Sequence, residues 1–517
     1  MKNSSIWLDG INRRVNNELN DDIDVDVLII GGGITGVSIL YNLIGSNLKV
    51  ALVEKNRIGM GVTARTTGKL TFLQENIYSK IIRYKDRDSA KLYLESQIEA
   101  IKIVRDIVNK HKIDCDFEDV SSFLFASEDK DIKKIKKEKE ILEGFNVNVE
   151  DSFTLPDNKI VKYGIKVRDT AVFHPLKYLI ALKNICNKKF RIYENTKVIE
   201  INKYKDGYIC KTNNNIIKAK YVVIASHYPY FLFHYLFPLK VHLEKSYICA
   251  SKVKEDDYFS AINVGAPTLS LRYFNNGKDI YKLVLMGSHN LAFNNNDKSY
   301  FNELSNHNPK KINYMWSNKD IITPDYLPYI GFIDDNLLLA TGYNTWGMTN
   351  GTIAGKVISD LILGNKNKYA ELFDPKRCLN LGKIVNFPIN LVSNVKSFVG
   401  SKFNKNKSWY SDRVYFTKKN GQDLAIYIDD ANVKHIVYNK CPHLKCGLIF
   451  NEVEKTWDCP CHGSRFDIDG KCIEGPSNYD IGYKWFSNYI CSLFLLFHQW
   501  TCYDILVRCF LEDILYF

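Results

Sequence analysis

The sequence predicts an α/β protein: a Rossmann-type domain near the start, an α+β part inserted into it, and a small all-β module at the end. Three observations carry this. A glycine-rich turn, Gly31-Gly32-Gly33-Ile34-Thr35-Gly36, sits between two short apolar strands. Strand-like segments separated by Asn-rich turns fill the middle of the chain. Short strand patterns surround two Cys/His pairs, Cys441/His443 and Cys459/His462. At 517 residues the chain exceeds a single compact core, so two or three domains are expected.

The first strand is expected over 24–30, DVDVLII, and stops at Gly31. Helical spacing runs from Ile34 to Leu43, and a second buried strand spans 48–53. This strand–turn–helix–strand unit is what a bound dinucleotide requires. Gly31 permits the tight turn, Gly33 lets the backbone approach a pyrophosphate, and Gly36 lets the helix pack on the strand. The helix start at Ile34 and Thr35 points N–H groups at phosphate charge. Glu54 closes the second strand, where a carboxylate accepts hydrogen bonds from a ribose and disfavours a 2′-phosphate. Lys55 follows it. Residues 59–69, GMGVTARTTGK, bring Thr63, Arg65, Thr66 and Thr67 into a loop suited to wrap a flavin and its diphosphate; a plain polar loop is the competing reading.

Helices are expected at 86–112 and 129–143, strands at 196–202, 208–211, 216–225, 240–253 and 279–290, and a helix at Thr352–Leu363. Residues 386–407 read as a linker, and from about 410 an all-β pattern begins. Apolar residues are 45% and charged residues 25%, ordinary for a globular protein. The net charge of +12 is spread over lysine-rich polar stretches without an aromatic-interleaved basic motif, so no nucleic-acid partner is expected. The first residues lack a signal-peptide core, and many of the thirteen cysteines are scattered, as in a cytoplasmic protein with reduced thiols.

The two Cys/His pairs are Cys441-Pro-His443 and Cys459-Pro-Cys461-His462, each on a short loop. A two-iron, two-sulfur cluster held by two thiolates and two imidazoles takes this donor set, and so does tetrahedral zinc. Two features favour the cluster. Each loop carries a further cysteine, Cys446 and Cys461. The second loop continues Gly463-Ser464-Arg465-Phe466, with small and hydroxyl groups suited to bond cluster sulfurs.

These residues carry two family resemblances. Over about 24–370 the chain resembles the FAD-dependent D-amino-acid-oxidase-like family, which includes glycine and sarcosine oxidases. The matching residues are DVLIIGGGITG with Glu54, ARTTGK, and PYIGFIDDNLLLATGYNTWGMTNGTIAG at 328–355. The resemblance implies a glutathione-reductase-like FAD fold. It implies that Val198 clasps adenine, and that the turn at Gly342 and the helix start at Gly347, Met348 and Thr349 face the flavin ring. It implies non-covalent FAD, since 316–347 has no cysteine. Over about 410–482 the chain resembles Rieske domains of the cytochrome-bc type. This implies Cys441, His443, Cys459 and His462 as ligands and a Cys446–Cys461 disulfide bracing the loops. Along nearly its full length the chain looks like a fused flavin oxidoreductase–Rieske protein.

The resemblance implies hydride transfer to FAD from a C–H next to an amine nitrogen, in an amine or amino-acid-like small molecule. Because FAD collects two electrons and the cluster carries one, the fusion implies stepwise electron transfer to an external acceptor. An electron-transfer protein without amine oxidation and a redox sensor are the alternatives. Arg272, in LSLRYF, is a candidate for holding a substrate carboxylate, against a structural role; His289, in MGSHN, is a weaker candidate. His227, Tyr228 and Pro229 are placed at the flavin pocket.

The expected domains are 1–385 for the flavin part, 386–409 for the linker and 410–482 for the Rieske module. Within the flavin part, 24–85, 170–238 and 325–370 bind FAD, and 86–169 and 239–324 face substrate. A hydrophobic tail, 483–517, departs from the family. Trp485–Tyr503 holds nineteen residues without a charged side chain. It reads as an irregular extension, an interfacial helix or a membrane span, so the protein is placed in the cytoplasm with a peripheral membrane contact through the tail.

Overall fold

The structure is a computed structural model. It describes residues 2–11, 15–229, 240–254, 258–290, 297–308, 311–377, 412–443, 445–461, 463–475, 477 and 479–483, without the side chains of 288–290. The chain forms two units, Met1–Ile481 and Gly482–Phe517, and the flavin part and the small module both belong to the first. The expected linker at 386–409 and nearly all of the tail lie outside the described residues. Among the described residues no helix is long and apolar enough to cross a membrane.

An eight-stranded sheet holds the dinucleotide-binding unit. Its centre is the strand Ile23–Ile30, flanked in parallel by Val50–Val53 and Ile216–Ile224. Leu337–Thr341 continues the parallel order and Tyr329–Asp334 closes the edge antiparallel. The central strand is apolar on both sides because both sides are covered. Val27 and Ile29 enter one core, with the helices Ile34–Asn42 and Gly347–Ile362; Leu28 and Ile30 enter another, under the hairpin Val198–Tyr204/Gly207–Thr212. The second of those helices starts at Gly347, five residues before its apolar spacing places it and close to the start near Met348 that the family resemblance implies, and thereby brings its N-terminus to the strand ends.

A nine-stranded mixed sheet forms the inserted part. Its edge strand Ile312–Ile322 pairs antiparallel with His242–Val253, opposing Asp320 to Glu244 and Lys319 to Lys245. The last part is all-β: a three-stranded meander from Val414 to Tyr438 and a four-stranded sheet from Ile449 to Glu474. Asn420 and Gly421 make the first hairpin turn with φ of 49° and 76°, the left-handed values that select Asn-Gly. Its core is aromatic, with the Phe450 ring centroid 4.5 Å from Tyr427 and 4.6 Å from buried Trp457.

Arg377 anchors the end of the flavin part. Its guanidinium donates to both Asp325 oxygens at 2.7 and 2.8 Å and to the carbonyls of Leu327 and Pro328, over the ring of Tyr329. Both side chains of the pair are 4% exposed. Arg377→Ala leaves a buried carboxylate unpaired and is expected to cost about 3–5 kcal/mol, read as a lowered denaturant midpoint.

Candidate active site and metal centre

A cavity open to solvent lies at the carboxyl ends of the parallel strands. The glycine-rich turn forms its floor. Gly31 has φ +115°, and a β-carbon there would sit 2.6 Å from the Ala225 carbonyl oxygen. A β-carbon on Gly36 would sit 2.0 Å from the Gly31 carbonyl oxygen, so the helix reaches the turn only because that residue is glycine. Gly33 caps the helix without a side chain, and Thr63 Oγ1 accepts from Ile34 N at 3.1 Å. Glu54 is held at the rim by Gly32 N at 2.8 Å and Asn56 N at 2.9 Å. A helix N-terminus for phosphate and a fixed carboxylate for ribose fit a dinucleotide.

The cavity wall includes Gly31, Gly33, Ile34, Thr35, Glu54, Lys55, Thr63, Thr66, Val198, Gly347 and Met348, as the sequence places them, and also His227 and Tyr228. Gly36, Arg65, Thr67, Gly342 and Thr349 lie off the wall. Gly36 packs behind the turn. Arg65 turns away to Ser317 O at 3.4 Å and Glu454 at 3.5 Å. Thr67 uses its carbonyl to accept from Arg272, Gly342 backs onto Thr323, and Thr349 Oγ1 lies 3.4 Å from both Gln74 Nε2 and Trp346 O.

Arg272 is corrected as a substrate contact. It is 1% exposed, its Nη1 donates to the carbonyls of Thr67, Gly68 and Phe173 at 2.8, 2.8 and 3.0 Å, and its guanidinium lies over Trp7. It staples core loops and has no face left for a carboxylate. His289 lies on the strand Ile280–Asn290 opposite Lys245, and its side chain is outside the described residues. Sequence reasoning missed Asn318 and Asp320 on the edge strand, and Ile473, Glu474 and Gly475 from the C-terminal module, all on the wall.

The two Cys/His loops are each closed by their own backbone. Cys441 N donates to Cys446 O at 2.8 Å, and Cys459 N to Ser464 O at 2.7 Å. Cys446 and Cys461 are disulfide-bonded, with Cα atoms 6.6 Å apart, so the loops are tied face to face. Cys459 Sγ lies within 4.8 Å of both bridged sulfurs, but those carry no thiolate, which leaves Cys459 as the donor of that group. Cys441 and Cys459 are buried thiols. Burial pushes the His443 ring down to about 4, the neutral form that ligates metal. Thiols and a neutral imidazole on braced loops fit a two-iron cluster; the fourth residue, His462, is outside the described residues.

Ionic contacts join the two regions. Arg65, Lys245, Lys319 and Asp297 of the flavin part meet Arg465, Glu454, Asp458 and Glu474 of the module. Arg465, 1% exposed, pairs with Glu454 at 2.8 Å, Asp458 at 3.2 Å and Glu474 at 3.8 Å. Lys245 bridges Asp297 at 2.7 Å and Asp458 at 3.2 Å. Lys319 Nζ donates to Gly463 O at 2.6 Å, beside His462, and lies 3.9 Å from Glu474. Burial alone would push the Glu454 carboxyl up; Arg465, Lys245 and Arg65 outweigh it and hold the group down at about 2.

Comparison with known proteins agrees with this arrangement. The family model described as FAD dependent oxidoreductase matches residues 26–361, and the Rieske [2Fe-2S] domain model matches 404–484. The Bacillus subtilis protein YhfW, whose name describes a Rieske 2Fe-2S iron-sulfur protein, is 33% identical over 89% of this chain and 93% of its own. Gamma-glutamylputrescine oxidoreductase of Escherichia coli is 26% identical over 68% of this chain and 86% of its own. Glycine oxidase from Geobacillus kaustophilus superposes with a TM-score of 0.59 at 16% identity, covering 69% of this chain and all of its own. L-amino acid deaminase from Proteus vulgaris gives 0.57 at 18%, covering 72% and 97%.

Arg465→Met removes the cation shared by buried Asp458 and half-buried Glu454 and Glu474 and is expected to cost about 3–5 kcal/mol, with faster proteolysis between the two regions. Because the folded Glu454 carboxyl titrates below its unfolded value, its contribution is complete above about pH 4.5 and is lost as pH falls toward about 2. Amide exchange at 449–458 and 465–466 is expected to accelerate across that window.

Proposed function

The chain belongs to the FAD dependent oxidoreductase family and carries a Rieske [2Fe-2S] domain, and from that premise we propose that it oxidises an amine or amino-acid-like small molecule and passes the electrons on to an external acceptor. FAD supplies oxidation of a C–H bond beside nitrogen, and the cluster supplies one-electron carriage. The name of the E. coli relative, a gamma-glutamylputrescine oxidoreductase, supports an amine-bearing substrate.

In this reading the turn Gly31–Gly33 and the helix start at Ile34 and Thr35 hold the diphosphate. Glu54 holds the ribose, Val198 the adenine, and Gly347 and Met348 meet the flavin ring. Cys441, His443, Cys459 and His462 hold the cluster, and the Cys446–Cys461 bridge fixes the distance between their loops. Residues 1–385 act as the oxidising domain and 410–482 as the electron-carrying one.

One observation carries the proposal. Ile473, Glu474 and Gly475 of the small module form part of the wall of the cavity that the glycine-rich turn floors. Asn56, two residues beyond Glu54, donates to Ile473 O at 3.4 Å. A carrier that received electrons from elsewhere has no need to complete a dinucleotide site.

Anaerobic mixing with a panel of amines and amino acids is expected to bleach the flavin absorbance and then produce the electron paramagnetic resonance of a reduced Rieske cluster. Cys441→Ser is expected to abolish that signal and turnover with one-electron acceptors while substrate still bleaches the flavin. Reduction by a reductase partner but by no amine would replace this reading with pure electron transfer. Stoichiometric zinc without labile sulfide would overturn the cluster.

A further inference from the structure

The edge strand Ile312–Ile322 turns alternate residues to opposite sides. Ser317 and Lys319 reach the small module, through Glu454 and the Gly463 carbonyl. Asn318 and Asp320 line the cavity. They sit at its flavin-ring end, because the loop leading into the Gly347–Ile362 helix is pinned to the same strand by Asn344 N donating to Ile321 O at 3.1 Å. Both are buried, at 7% and 8% exposure.

Apart from the Ser226 hydroxyl, which can donate or accept, the buried polar side chains there offer acceptors. Asn318 Nδ2 donates to Asp320 Oδ2 at 3.1 Å, which leaves Asn318 Oδ1 as an acceptor, and that buried atom has no partner. The His227 ring lies on the same wall, and burial lowers its pKa, so it is held neutral. Its Nε2, also on the wall and buried, has no partner. In the tautomer with the proton on Nδ1, Nε2 carries a lone pair. Asp320 is an acceptor with no salt bridge among the described residues. Burial first, and then the Glu244 carboxylate across the strand pair, push its carboxyl up to about 7.

A ligand group made only of donors satisfies such a set, and an acceptor-only carboxylate is repelled by it. The only lysine or arginine on the described cavity wall is Lys55, which follows Glu54 at the opposite, ribose end; Arg272 is sealed in the core. We infer that His227, Asn318 and Asp320 form the recognition site for the ammonium group of the substrate, and that the substrate is an alkylamine without a carboxylate on the reacting carbon. This rests on the amine-oxidising reading above and narrows it to one chemical class.

The test separates binding from oxidation. The FAD- and cluster-loaded protein is titrated anaerobically with butylamine and with its carboxylate-bearing counterpart norvaline. Perturbation of the flavin spectrum reports binding, and bleaching reports oxidation. Butylamine is expected to bind and norvaline to bind far more weakly. Asp320→Asn, isosteric but uncharged, is expected to weaken butylamine about 10- to 100-fold and Asp320→Glu to restore part of the loss, with FAD content and cluster spectrum unchanged in both. Butylamine that binds without bleaching sustains the site and overturns the oxidation. Norvaline binding as tightly as butylamine, butylamine affinity indifferent to Asp320→Asn, or no perturbation by butylamine overturns the site.

Discussion

The charge set centred on Arg465 dominates the contact between the two cofactor regions. On the flavin side Arg65, Lys245 and Lys319 outweigh Asp297; on the module side Glu454, Asp458 and Glu474 outweigh Arg465. The surplus is two positive charges facing two negative ones. Such a set adds little net stability, because each group lost its hydration on burial. It gives specificity instead. A rotated or slipped docking would strand buried ions, so the module has one place to sit.

That constraint makes the strand Ile312–Ile322 a partition. Its period of two sends Ser317 and Lys319 to the module and Asn318 and Asp320 to the cavity. The same backbone therefore connects the cavity wall to the loop that carries His462, a proposed cluster ligand. The connection is short by construction: Lys319 reaches Gly463, and its chain neighbours Asn318 and Asp320 line the cavity.

The module itself is organised the same way, with polar constraints placed where the metal demands precision. Both ligand loops are closed by backbone hydrogen bonds and tied by Cys446–Cys461, while Ser464 is fixed by Ser477 N at 2.9 Å. The aromatic core of Tyr427, Phe450 and Trp457 shares one apolar cluster with Cys441 and Cys459 and gives the ligand loops a rigid base.

The sequence by itself determined the parts whose chemistry is local. The turn from Gly31 to Gly36 with Glu54 lies within one strand–helix–strand unit, so spacing alone announces it. The Cys441/His443 and Cys459/His462 pairs lie within two short loops, and family likeness supplied the Cys446–Cys461 bridge. Tertiary structure alone decided the rest. The strand holding Ser317, Asn318, Lys319 and Asp320 has no alternating apolar pattern, because both of its faces are buried against polar partners rather than one against oil and one against water. Arg272 reads as a substrate clamp until Thr67 and Phe173, both far away in the chain, fold around it. Glu474 and Arg65 acquire roles only from the docking of domains. Contacts between residues far apart in the chain leave no local period or spacing.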